Sequence, residues 1–218
     1  MPSGAQTQSR FALEAGAGPV WASHWSPRDK PPGTEVVVDW RPGRVISLSG
    51  TARLGRFVTA EVGLLLVDKG AHHTVATASF PFGDMELTCA FRYLELPITL
   101  RTYWVRIGPA ALFTYGGAYV AFALDNSYTF YNAEKGSATR RLDDVELVDV
   151  GFISGFGVER TLGRVSVIVK YRYSMGFVDL TLDTDPVYLP EFRGVEFPVI
   201  ELRNYMHAVL VGVRWLIS

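Results

Sequence analysis

The chain has 218 residues, which is enough for one domain of ordinary size and short for two. Its 21 basic residues against 22 acidic ones argue against a nucleic-acid partner. One cysteine excludes a disulfide within this sequence, and with only four histidines the composition predicts neither a metal site nor a cofactor. With 48% hydrophobic residues and 21 glycines, it favours a β-rich protein with much apolar surface.

The first residues contain no apolar segment of the kind found in signal peptides. Ala5-Gln6 resembles the polar start of a mature exported chain, and whether a signal peptide was removed stays open. We predict an N-terminal tail over residues 1–10 and a single domain over residues 11–218.

Alternation of apolar and polar residues with period two predicts antiparallel β-strands. The clearest segment is 165–174, where the valines and tyrosines share one face of the strand. The one long uncharged run, 107–124, is broken by Gly108 and Pro109, so we interpret it as strand and not as a membrane-spanning helix. The eight predicted strands are 11–21, 44–54, 57–67, 93–102, 105–124, 148–159, 165–174 and 205–217.

Short and long connections alternate along the chain. Tight turns are predicted at Gly55-Arg56, at Tyr103-Trp104 and at Thr161-Leu162-Gly163. In an up-and-down meander, odd and even connections lie at opposite ends. We therefore predict an all-β, eight-stranded antiparallel up-and-down transmembrane β-barrel with tight turns at one end. The four long loops of the other end are predicted at 22–43, 68–87, 125–144 and 182–200.

One face of the predicted strands mixes charged residues with glycines. A solvent-facing strand seldom carries many glycines, whereas in a narrow barrel they leave room for long side chains to pair. We expect acids and bases to form a salt-bridged network in the barrel interior. Its predicted members are Glu14, Glu61, Glu95, Arg101, Arg106, Asp149, Glu159, Lys170, Arg172 and Arg214.

The other face consists of Val, Leu, Ile and Phe, with Tyr and Trp near strand ends. Aromatic residues form such girdles at both interfaces of a membrane barrel. An open alternative is a soluble calycin-like barrel with this apolar face inside, around an apolar ligand. The predicted membrane-interface aromatics are Trp21, Tyr103, Trp104, Tyr171, Tyr173, Tyr205 and Trp215.

Several stretches resemble a family of small outer-membrane β-barrels often labelled porin-like or PorT-like. Tyr-Leu-Glu-Leu-Pro at 93–97 is the most distinctive, and the other stretches are generic barrel strands. The last strand, which ends Trp215-Leu216-Ile217-Ser218, matches the aromatic ending of that family only in part. The stretches that carry the resemblance are 93–100, 151–159, 171–176 and 203–215.

The resemblance implies an eight-stranded protein of a Gram-negative outer membrane, in a family whose members mostly have no assigned chemistry. We predict no enzymatic activity and no cofactor. We expect a structural, interaction or accessory-subunit role through the extracellular loops, including 128–131 and 140–144. Expected partners are outer-membrane lipid, lipopolysaccharide and other envelope proteins. A narrow porin-like channel is the alternative, although an eight-stranded interior is only wide enough for side chains to fill it.

The remaining candidates for chemistry are isolated residues. His72-His73 falls in a predicted loop, where we expect a solvated pair that binds no metal. Cys89 near a strand start is interpreted as a small apolar filler. His207 is expected to face lipid near the loop end. No spacing singles out a catalytic residue.

Overall fold

The computed structural model describes residues 10–25, 34–77, 85–133, 136–141, 148–178, 180–181 and 201–217. The regular elements in these ranges are β-strands. No helix among the described residues has the length and apolarity needed to cross a membrane.

The described residues form ten strands, many of them longer than predicted. Their bounds are Phe11–Trp25 (β1), Thr34–Arg53 (β2), Val58–Thr77 (β3), Met85–Ile107 (β4), Ala110–Asn132 (β5), Gly136–Arg141 (β6), Val148–Leu162 (β7), Val165–Gly176 (β8), Leu180–Thr181 (β9) and Glu201–Ile217 (β10).

Eight of these strands close into a ring. Neighbours pair antiparallel in the order β1-β2-β3-β4-β5-β7-β8-β10, and β10 pairs back onto β1 from Phe11↔Ile217 to Trp25↔Arg203. β6 pairs with the far end of β5, and β9 with the start of β10. The predicted eight-stranded antiparallel barrel is confirmed.

Tight connections lie at one end of the ring, as predicted. Gly108 (φ 57°) and Gly163 (φ 70°) adopt the left-handed conformation in the β4–β5 and β7–β8 turns. The turn predicted at Tyr103-Trp104 is wrong, because β4 continues to Ile107. The register shifts between Tyr103 and Val105, and this bulge interrupts the alternation that marks a strand.

At the other end, three of the predicted long loops contain strand. β2 begins at Thr34, β3 and β4 pair as far as Val75↔Met85, and β5 runs on to Asn132. Register shifts near Trp40 and at Arg92/Tyr93 disturb the pattern where these extensions begin. The loop predicted at 182–200 lies outside the described residues.

The two faces of the strands are segregated across the barrel wall. In β8, Ser166, Ile168 and Lys170 are buried in the interior, whereas Val167 and Val169 are exposed on the outside. The soluble calycin-like alternative is wrong, because the apolar face of the ring points outward over its middle. The apolar belt, as we call the outward side chains there, includes Leu13, Ile46, Leu48, Val62, Leu64, Leu96, Ile98, Leu100, Leu112, Val120, Val158, Val167, Val169 and Val211.

The polarity reverses in the part nearer the loops. On β3, inward Ala71 and Val75 are apolar, while outward His72 and Thr74 are polar. On β4, inward Leu87 is apolar, while its outward neighbours Glu86 and Thr88 are polar. We call this part, formed mainly by β1–β5 beyond the apolar belt, the loop-end extension. Its core is largely apolar, and its outer face is largely polar but also exposes Val37 and Trp40.

Candidate functional site

Three acids and three bases meet in the interior near the turn end, and we call them the turn-end cluster. Arg101 donates to Glu14 at 3.0 Å and also to Glu61. Lys170 pairs with both of these carboxylates, reaching Glu61 Oε1 at 3.1 Å. Their positive and negative charges balance. The members are Glu14, Glu61, Glu159, Arg101, Lys170 and Arg214.

Arg214 joins this cluster to the strand that closes the ring. Its two terminal nitrogens lie 3.1 Å from Glu14 Oε2 and 2.6 Å from Glu159 Oε2. Tyr103 donates its hydroxyl hydrogen to Glu159 at 2.6 Å and accepts a hydrogen bond from Arg214 at 2.8 Å. Side chains from β1, β4, β7 and β10 are therefore connected across the lumen.

A second group, which we call the central cluster, lies nearer the loop end. Lys69 Nζ is 2.7 Å from Glu95 Oε1 and 3.5 Å from Asp149 Oδ2. Arg172 donates to Glu95, and Tyr119 donates to Asp149 at 2.9 Å. Its two acids and two bases also balance, and all four charged side chains are buried.

Nine of the ten predicted interior charges lie in these two clusters. Arg106 does not: it is exposed near the turns, with its guanidinium 5.4 Å from the centre of the Tyr103 ring. Arg106 pairs with Ala111, which in turn pairs with inward Glu159, so it lies on the lumen-facing side of the strand. It is exposed there because it lies only one residue from the end of β4, at the open turn end of the barrel.

Lys69 is an interior charge that the sequence prediction missed. The sequence prediction places it in a loop. In the structure it lies on β3, where its side chain is buried on the same inward face as Leu65 and Val67. A charge count contains the missing signal, because without Arg106 the predicted set has five acids and four bases. Lys69 restores the balance.

The interior is packed with side chains around these charges. Among the described residues, Arg101, Tyr93 and Lys69 are fully buried and Phe113 nearly so. The Arg101 guanidinium lies 4.4 Å from the centre of the Phe113 ring. Because removing one partner from a buried ion pair leaves an uncompensated charge, we expect this arrangement to brace the strands against one another.

Glycines on β7 make room for aromatic rings of β5. Gly155 pairs with Tyr115 across the two strands, and a Cβ at Gly155 would stand 2.6 Å from that ring. Gly151 faces Tyr119 in the same way, with a Cβ at 2.7 Å. The predicted role of interior glycines as space for large side chains is realised here by aromatic rings.

Most of the predicted interface aromatics face outward. Trp21, Trp104 and Trp215 are exposed, and Tyr171, Tyr173 and Tyr205 are half-buried on the outer face. Tyr103 is the exception: it is buried inside, bound to the turn-end cluster. Tyrosine serves at membrane interfaces and in buried polar networks alike, so residue type alone does not distinguish them.

A charged chain on the outer surface marks where the apolar belt ends. Asp68 Oδ1 accepts a hydrogen bond from Arg92 at 2.9 Å, and Asp68 Oδ2 lies 3.5 Å from Arg44. These residues follow the outward apolar residues Ile46 on β2, Leu66 on β3 and Leu94 on β4. We expect this charged chain to lie at the level where a membrane barrel meets lipid headgroups and lipopolysaccharide.

The isolated candidates lie on strands. His72 points outward and bonds Thr88 at 2.8 Å, whereas His73 is fully buried, so the predicted solvated loop pair is wrong. Cys89 is buried, as expected of a small filler. His207 is half-buried on the outer face, hydrogen-bonded to Tyr171.

The two predicted loop segments differ in what the structure describes. Tyr128 and Phe130 pack in the core of the loop-end extension, and Tyr131 is exposed. Residues 140–141 lie in β6, and residues 142–144 lie outside the described part of the chain.

A closed antiparallel ring with a charged, filled interior and an apolar belt defines a membrane-spanning β-barrel. The family described as outer membrane protein beta-barrel domain matches residues 5–182, and the chain belongs to it. It is therefore a protein of the bacterial outer membrane, as predicted. The narrower PorT-like label stays a prediction.

Similar solved structures are small outer-membrane proteins. Neisserial surface protein A is 15% identical with a TM-score of 0.44, and the match covers 97% of this chain and 100% of that one. OprG from Pseudomonas aeruginosa is 11% identical with a TM-score of 0.46, covering 95% and 96%. Ail, the attachment invasion locus protein of Yersinia pestis, is 11% identical with a TM-score of 0.39, covering 94% and 99%. No curated protein sequence matches the chain.

Proposed function

We propose that this protein is a non-enzymatic outer-membrane barrel with a structural or interaction role, in which the loop-end extension contacts other envelope components. The proposal rests on one observation: the polarity of the inner and outer faces reverses along the strands. A barrel that only has to cross the membrane needs no folded part beyond the apolar belt. This one continues beyond the belt around packed side chains that include Leu87, Phe91, Tyr128 and Phe130.

The extension forms a packed base at the end of the barrel where the long connections are predicted. Its outer surface is largely polar with exposed aromatic rings such as Tyr131, and the charged chain formed by Arg44, Asp68 and Arg92 lies where it meets the apolar belt. Such a surface suits contact with lipopolysaccharide sugars and phosphates or with the polar surface of an accessory partner. Outer-membrane lipid, lipopolysaccharide and envelope proteins are therefore the proposed partners.

The narrow-channel alternative is less well supported. Two balanced charge clusters and the rings of Tyr93 and Phe113 fill the lumen among the described residues. An ion path there would require buried ion pairs to separate, at a cost of several kcal/mol. We expect the purified protein to give no steady conductance steps in a planar lipid bilayer, whereas regular steps would favour the channel.

Site-directed photo-crosslinking in the native outer membrane tests the interaction role. A photoreactive phenylalanine analogue replaces Tyr131, which is exposed on the extension, or Phe57, which is exposed at the turn end as the matched control. We expect a discrete adduct with a protein or lipopolysaccharide at Tyr131 and none at Phe57. Equal labelling at both positions, or no adduct at Tyr131, contradicts the proposal.

A further inference from the structure

Three metal-binding side chains converge inside the loop-end extension. They are His24 on β1, His73 on β3 and Cys89 on β4, and all three are buried. One ligand atom from each lies within 4.8 Å of the other two. These residues are far apart in sequence, and two of them fall in segments that the sequence analysis assigned to loops.

Their spacing approaches that of a tetrahedral metal site. His24 Nδ1 and His73 Nε2 face each other at 3.0 Å. With Zn–N bonds of about 2.0 to 2.1 Å, two nitrogens of a tetrahedral site stand about 3.3 Å apart. A shift of a few tenths of an ångström in the imidazole rings is enough to admit an ion between them.

Polar atoms around the three residues are left without partners. His24 Nε2, His73 Nδ1 and Asn204 Oδ1 are buried and have no hydrogen-bond partner among the described residues. Asn204 is the cross-strand neighbour of His24 on β10. A histidine that binds metal through one ring nitrogen commonly donates its other N–H to a nearby acceptor, and the amide oxygen of Asn204 is available for this.

The site also lies outside the apolar belt. Cys89 is three residues beyond Arg92 along β4, about 10 Å at 3.3 Å per residue. The ring of Phe91 packs 5.9 Å from that of His24 and forms one wall of the site. Metal bound here would link β1, β3 and β4 across the lumen of the extension.

We propose that His24, His73 and Cys89 bind one zinc ion. One thiolate and two imidazoles are ligands that zinc prefers, and three protein ligands leave a fourth position open. On binding, the Cys89 thiol loses its proton to solvent and both imidazoles bind as neutral rings. The ion replaces the contact between two facing nitrogens with three bonds and fixes the base from which the loops project.

Cobalt titration of the folded protein tests this site. The full chain, prepared without a histidine tag and stripped with a chelator, is titrated with Co²⁺ in detergent and then with Zn²⁺. We expect one equivalent of Co²⁺ to give the visible absorption of a tetrahedral site together with a thiolate-to-cobalt charge-transfer band, and Zn²⁺ to abolish both. Because Cys89 is the only cysteine, zinc should also slow alkylation of the protein by at least tenfold.

Matched variants assign the ligands. His73→Ala and Cys89→Ser should lose stoichiometric binding, while His72→Ala, which removes the adjacent outward histidine, should retain it. Cys89→Ser keeps nearly the same volume, and a heat-dependent shift in gel mobility verifies that each variant is folded. Absence of stoichiometric binding to the folded parent, or a charge-transfer band that survives in Cys89→Ser, overturns the proposal.

Discussion

Glu95 is the buried acid that holds the central cluster together. It lies between Lys69 at 2.7 Å and Arg172, and its side chain is fully buried. Both partners are cations from other strands. Its charge therefore compensates two buried positive charges at once, where water cannot replace it.

Reversing this charge tests whether the central cluster stabilises the barrel. In Glu95→Lys three cations face Asp149 alone, and we expect a loss of about 3 to 5 kcal/mol in the free energy of unfolding. The temperature at which the folded gel band disappears in detergent measures the effect. Glu35→Lys, an exposed site on the extension, is the control and should leave that temperature nearly unchanged. Equal heat resistance of parent and Glu95→Lys would show that the ion pairs brace nothing.

The β5–β7 pair shows how an element depends on residues that have no side chain. Gly151 and Gly155 lie beneath the rings of Tyr119 and Tyr115, so aromatic rings of one strand cover glycines of the next. The same arrangement pairs Phe113 with Gly157. Large rings and long charged side chains fit together in the lumen because β7 contributes so little volume there.

Gly155→Val tests this dependence. A Cβ at Gly155 would lie 2.3 Å from the Tyr171 carbonyl oxygen as well as against Tyr115, so both neighbours must move. We expect a loss of at least about 1 to 3 kcal/mol, the usual cost of overpacking, seen as a lower unfolding temperature or a reduced folded yield. Gly50→Ala is the matched control, because nothing lies within 4 Å of a Cβ there. A Gly155→Val barrel as stable as Gly50→Ala would contradict the packing role.

Alternation predicted the strands well at the level of the apolar belt, where outward side chains are apolar and inward side chains are mostly polar. In β8 the valines and tyrosines point out and the polar residues point in, as the sequence indicates. It failed at the bulge after Tyr103, where the interruption was interpreted as a turn. It also did not indicate that Arg106, although on the lumen-facing side, lies at the exposed end of the barrel. It also failed in the extension, where the reversed polarity meant that Lys69 and His73 were not predicted to be buried on a strand. The convergence of His24, His73 and Cys89 depends on strand registers that the alternation pattern does not predict.

At the scale of the whole molecule, the apolar belt and the loop-end extension divide the barrel into two environments. Ile98 is 65% exposed at the middle of the belt on β4. Val37 is also exposed and outward, but it lies on the part of β2 that pairs with Thr74, beyond the charged chain at Asp68. The two side chains differ little in size and exposure. Their surroundings differ if the belt is where lipid lies.

Arginine substitutions at Ile98 and Val37 therefore test where along the barrel the membrane lies. In Ile98→Arg a charge is forced against the hydrocarbon, and we expect a loss of about 2 to 4 kcal/mol in reversible folding into lipid vesicles. Val37→Arg should change that free energy little, because its side chain contacts water. In detergent micelles, which adapt around a charge, the difference between the two variants should shrink. Equal losses in vesicles would mean that lipid reaches the extension, and the boundary placed at Arg44, Asp68 and Arg92 would have to move toward the loops.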